Sequence, residues 1–196
     1  EILVASPEYY IWNGNQFAKM GSLSQRVLLH AMDENGLDLM NLELACGRGI
    51  TAVDRATRAP VVVLGGKVAE DLDLTEASLG RTFTVAGQTA EVIGILKKQG
   101  DVPFMPQEDN EDAIWGTDRE LIVPFGSFRE LTRPGRIENP SWRLQVDARL
   151  PIKDAENLLR SNLRRVCGLH GDEVDCFDLS TNEKQVAMVE KLSRSL

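Results

Sequence analysis

The chain has 196 residues, with 30 acidic against 22 basic side chains and a formal charge of −8. It therefore lacks the basic surplus on which nucleic-acid binding and docking to anionic lipid rely. No apolar run reaches the eighteen or so residues that span a bilayer, and residues 1–12 have neither the basic start nor the small-residue cleavage site of a secretory leader.

Taken in chain order, Ile2-Leu3-Val4 and Tyr9-Tyr10-Ile11-Trp12 are rich in β-branched and aromatic residues and predict extended chain. Asn13-Gly14-Asn15 is a hairpin-type turn signal. Residues 25–30 predict a strand, and residues 33–40 a short helical turn interrupted by Asn35-Gly36. Val61-Val62-Val63-Leu64, bounded by Pro60 and Gly65-Gly66, reads as a buried strand. Residues 67–72 follow as helical turns, with Val68, Ala69 and Leu72 on one face. Residues 81–85 and 89–96 alternate about a turn at 86–88 and predict a hairpin.

Residues 99–118 form a long polar stretch with Pro103, Pro106 and an acidic run at 108–112. A loop of that length in a compact domain predicts a binding role. Residues 120–124 predict a strand closed by Pro124, and residues 125–131 a short helix. Residues 142–148 alternate as a half-buried strand. Ile152, Ala155, Leu159, Leu163 and Val166 recur at helical spacing, so residues 151–167 predict a helix with Pro151 in its first turn and Gly168 just past its end. Residues 174–179 predict a strand centred on Cys176, which would complete a β-α-β unit. Ser180 with Glu183 forms a capping box for a last helix carrying Val186, Val189, Leu192 and Leu196. That helix is still running at the final residue, which predicts a chain cut from a longer one.

No nucleophile, base and orienting group stand together in any recognisable pattern. His30 lies in an apolar strand and His170 in a Gly-flanked turn, and both read as structural. Gly65-Gly66-Lys67 lacks the spacing of a phosphate-binding loop. The acidic run lacks the calcium-loop pattern and reads as a solvated charge run. Cys46, Cys167 and Cys176 have no zinc spacing. Cys167 and Cys176 read either as two small apolar side chains or as a disulfide. Of Trp12, Trp115 and Trp142, Trp115 sits in the long loop beside acids and reads as a partner-contact anchor. Packing back on the domain is the other reading. The expected catalytic, cofactor and metal residues are therefore none.

Several segments share the order and gaps of a known family. They are Val4-Ala5-Ser6-Pro7, Leu42-Glu43-Leu44-Ala45-Cys46-Gly47-Arg48, the run from Val61 through Leu72, and Ser78-Leu79-Gly80-Arg81-Thr82-Phe83-Thr84-Val85-Ala86-Gly87-Gln88. Glu91-Val92-Ile93-Gly94-Ile95-Leu96-Lys97-Lys98 and Leu121-Ile122-Val123-Pro124-Phe125 complete the series. Together they resemble the periplasmic core domain of MacB/FtsX-type ABC-transporter permeases. Ser78 departs from the proline usual there. The family's domain also starts with a strand and helix ahead of the Val4 segment, so an N-terminal truncation is expected.

The resemblance implies an α+β fold. A porter-like β-α-β lobe would take residues 1–46 and 142–180, with an inserted, mainly β lobe at 47–141. Residues 181–196 would begin a stalk helix leading to a transmembrane helix, with Val186, Val189, Leu192 and Leu196 packing either in the stalk or on their own domain. It further implies an inner-membrane protein whose domain lies in the periplasm, between the first two membrane helices, and couples ATP hydrolysis elsewhere to periplasmic movement. The implied partners are an ABC ATPase subunit or domain, a second permease copy, and a periplasmic adaptor or lipoprotein. Nucleic acid is not among them, and no cofactor is implied. The alternatives are an FtsX-type interaction domain regulating a cell-wall hydrolase and a small soluble α+β enzyme.

Overall fold

The computed structural model describes residues 2–11, 17–85, 87–99, 116–127 and 137–181. Its strands are β1 (Ile2–Ile11), β2 (Phe17–Met20), β3 (Leu23–Arg26), β4 (Leu28–Met32), β5 (Leu44–Gly47), β6 (Val61–Leu64), β7 (Thr82–Val85), β8 (Gln88–Leu96), β9 (Glu120–Pro124) and β10 (Ile137–Val146). Its helices are α1 (Gly36–Leu39), α2 (Ala52–Thr57), α3 (Gly66–Asp71) and α4 (Ile152–Val166). The residues divide into two units, Val4–Gln145 and Glu1–Leu3 with Val146–Leu196. One large sheet with few helices is the α+β class that the sequence predicts.

The sheet runs β10-β1-β4-β9-β6-β8-β7-β2-β3, with β5 paired to β8 off that path. It is mixed: β1 is antiparallel to β4, β4 parallel to β9, β9 antiparallel to β6 and β6 parallel to β8. Successive side chains point to opposite faces. Ile11, Leu29, Val62, Leu64 and Leu121 therefore share the larger core with Val68 and Ala69 of α3. Met32, Val63, Ile122 and Leu96 share the smaller one with Leu37 of α1. Both cores are built from buried apolar side chains, the main source of folding free energy.

Two local devices set the chain path. The register of β8 against β6 slips between Val92 and Gly94, a bulge at Ile93. There β5 approaches so closely that a Cβ on Gly94 would lie 2.4 Å from the Arg48 carbonyl oxygen. Helix α2 opens with a reciprocal capping box, Thr51 Oγ1 accepting from the Asp54 amide while the Asp54 carboxylate accepts from the Thr51 amide.

The structure departs from the sequence expectations in particular places. The run at 25–30 is split at Val27 into β3 and β4, because the two halves pair with different neighbours: β3 with β2, and β4 with β1 and β9. Residues 174–179 form no strand, so the second strand of the predicted β-α-β unit is absent. Val174 is 89% exposed, and the local ties of this segment run to α4 rather than to a neighbouring strand. Residues 125–127 make a turn, with the Phe125 amide donating to the Met32 carbonyl at 2.7 Å. The turn at 13–15, most of the long loop, residues 128–131 and the last helix lie outside the described residues.

In the second unit Pro151 caps α4, and Gly168 follows it at φ 69°. A disulfide joins Cys167 to Cys176. Arg160 and Arg164 both donate to the Asp175 carboxylate. Arg164 also donates to the carbonyls of Glu173 and Gly171, each at 2.7 Å. Residues 168–176 thus form a hook clipped to the helix.

Candidate functional site

Strand β1 carries a carboxylate, Glu8, on the same face as Tyr10. The register places Tyr10 opposite His30 of β4, and Leu28 opposite Glu120 of β9. Glu8 and Glu120 therefore lie diagonally on either side of His30, within reach of long side chains. The His30 ring is fully buried, and both glutamates are buried too. His30 Nδ1 lies 3.0 Å from Glu120 Oε2, and Nε2 lies 3.4 Å from Glu8 Oε2. The first distance is a hydrogen bond. The second is long for one and is an ion-pair contact, which leaves Nε2 without a well-formed hydrogen bond.

The series continues to β10. Arg143 forks onto Glu8, Nε donating to Oε2 at 3.2 Å and Nη2 to Oε1 at 3.1 Å. Ser141 Oγ adds a donor to Glu8 Oε1 at 3.3 Å. Tyr10 stacks on the His30 ring, with centroids 4.1 Å apart and planes 25° apart. Arg143, Glu8, His30 and Glu120 thus form a polar ladder across β10, β1, β4 and β9, in the order of the sheet.

Burial disfavours the charged form of His30, but the flanking carboxylates of Glu120 and Glu8 outweigh it and raise its pKa above the ordinary 6.5. Burial likewise works to raise the Glu8 pKa, and His30 and Arg143 reverse it, so Glu8 ends below its ordinary value. The Tyr10 hydroxyl is pushed up by burial and by Glu120 and Glu8. The ladder can hold a proton and tie strands together. With the imidazole wholly buried, no reactant reaches its ring. Its two nitrogens face carboxylates on opposite sides, so the three groups do not converge on a common point where an ion could sit. Among the described residues no group of three or more His, Cys, Asp or Glu is placed to hold a metal.

Of the residues singled out in the sequence, Trp115, Val186, Val189, Leu192 and Leu196 lie outside the described residues. Trp142 lies on β10 and is 65% exposed. His170 sits in the hook, its amide donating to the Glu173 carboxylate at 2.6 Å. Sequence reasoning missed the partners of His30. A signal existed: Glu8 and Glu120 each sit in an apolar strand with no basic residue on the same strand, so each calls for a partner across the sheet. Finding that partner requires the pairing register.

A family model described as the MacB-like periplasmic core domain matches residues 2–165. The macrolide export ATP-binding/permease protein MacB of Rhodospirillum rubrum is 29% identical over 154 residues, 78% of this chain and 21% of that protein. The chain therefore spans about a fifth of the curated relative's length. The periplasmic region of MacB from Actinobacillus actinomycetemcomitans superposes with a TM-score of 0.72 at 19% identity, covering 96% of this chain and 76% of that one. The extracellular domain of the noncanonic ABC-type transporter YknZ from Gram-positive bacteria gives 0.62 at 19% identity, covering 86% and 78%. A domain of a putative permease from Porphyromonas gingivalis gives 0.55 at 11% identity, covering 96% and 82%. Among the described residues no helix is long and apolar enough to cross a membrane.

Proposed function

This chain belongs to the MacB-like periplasmic core domain family, and on that premise we propose that it is the extracytoplasmic part of an ABC-transporter permease that passes motion from cytoplasmic ATP hydrolysis to a periplasmic partner or cargo. The observation that carries this reading is the extent of the family match, which runs over residues 2–165, from β1 into α4. On this reading fuel is consumed by an ABC ATPase subunit or domain, and two permease copies work as a pair. Residues 181–196 are the start of a stalk packed through Val186, Val189, Leu192 and Leu196. Trp115 serves as a contact for a periplasmic adaptor or lipoprotein.

The test uses the full-length permease with its ATPase in lipid nanodiscs. A spin label at the exposed Val53 (69% exposed), introduced as Val53→Cys in a Cys46→Ser background, reports the separation between copies. The expected result is a separation that changes between nucleotide-free and vanadate-trapped states. Identical separations in both states, or small-molecule turnover by the isolated chain, would overturn the proposal.

A further inference from the structure

The polar ladder places acid–base chemistry where only packing is needed. A neutral imidazole carries one N–H and one lone pair. In this sheet both ring nitrogens of His30 face carboxylates, so a neutral ring would aim its lone pair at one of them. With the ring doubly protonated, two carboxylates meet one imidazolium and one guanidinium, and the buried charges cancel. With the ring neutral, one buried negative charge is left over without a cationic partner, which is unfavourable in such surroundings.

We propose that His30 is a proton-operated latch, whose imidazolium fastens β1, and through Glu8 and Arg143 the strand β10, to β4 and β9. Among the described residues, the titratable or charged groups that face it are Glu8 and Tyr10 from β1, Glu120 from β9 and, through Glu8, Arg143 from β10. β4 presents no other titratable side chain on that face. The raised pKa of His30 makes its contribution complete below 6.5 and lost as pH rises through the folded value. The lowered pKa of Glu8 keeps its carboxylate charged below 4.5. The latch is therefore closed at mildly acidic pH and opens as pH rises through the raised His30 midpoint.

The latch is independent of the transport reading, because it is tested on this chain alone. The chain has two histidines, so imidazole ¹⁵N spectra of the labelled 196-residue chain resolve His30, with His170→Gln giving the assignment. At pH 6.5 His30 is expected to carry protons on both nitrogens, with a midpoint above 6.5. Glu8→Gln and Glu120→Gln should each lower that midpoint. In the unmodified chain, the opening constant of the β1 amides, corrected for base catalysis of exchange, should rise by up to about tenfold per pH unit between 6.5 and the midpoint. A single neutral tautomer at pH 6.5, a midpoint that neither variant moves, or β1 opening that is flat with pH would each overturn the latch. The spectra and exchange of the unmodified chain decide the matter even where a variant fails to fold.

Discussion

In Val4–Gln145 the strands are ordered by apolar side chains on both faces of the sheet, with Leu29, Leu64, Leu121 and Ile122 all fully buried. In the unit of Glu1–Leu3 and Val146–Leu196, α4 buries only Ala155, and the hook after it is held by one disulfide and two arginines on one aspartate. The first arrangement draws on area, so it is collective and non-directional. The second draws on a few specific bonds, so it can be undone one bond at a time. A segment with little to bury needs a covalent or ionic clip to hold one conformation.

The comparison can be broken most forcefully in the core. Leu29→Ala should cost about 3 kcal/mol in urea unfolding, from lost burial plus the cavity it leaves. A loss below about 1 kcal/mol would mean the sheet does not depend on that core. Next in size is the disulfide. Cys167 and Cys176 are 9 positions apart, and opening so short a loop should cost the hook about 2–3 kcal/mol. Exchange protection at residues 168–176 should fall in Cys167→Ser while β6 and β8 keep theirs. Loss of protection throughout the sheet would erase the distinction between the two units. Smaller again, Thr51→Ala removes the cap of α2 and should cost about 1 kcal/mol.

The smallest effect sharpens the ionic half. The Asp175 pKa is lowered, chiefly by its hydrogen bond from Arg164. Its contribution is therefore present above the ordinary carboxylate value of 3.8 and lost as pH falls through the lower folded value. Below that point the hook keeps the disulfide and the Arg164 bonds to the Glu173 and Gly171 carbonyls. Acid titration followed by NMR at the 173–175 amides should show a local change that Asp175→Asn abolishes.

What the sequence made legible divides along physical lines. The apolar runs at 61–64, 89–96 and 121–124 declared β6, β8 and β9, because buried strands carry their own composition. The 3.6-residue spacing and flanking Pro151 and Gly168 declared α4 in the same way. The ladder stayed hidden because its members come from four strands and meet only through register. Residues 174–179 misled for the opposite reason. Their pattern suits a strand, but bonds to α4 outweigh the weak local preference. Helix α2 was overlooked, although Thr51 and Asp54 spell a capping box with Asp in place of Glu.

The close pairing of β5 with β8 has a use of its own. Gly47 pairs with Gly94, and a methyl group on Gly94 would press directly on the Arg48 carbonyl. Gly94→Ala thus offers a wedge driven in from the interior, with no outward-facing group altered. In a living cell such an allele would be a graded dial, lowering the amount of intact domain with temperature while leaving its outward-facing side chains as they were.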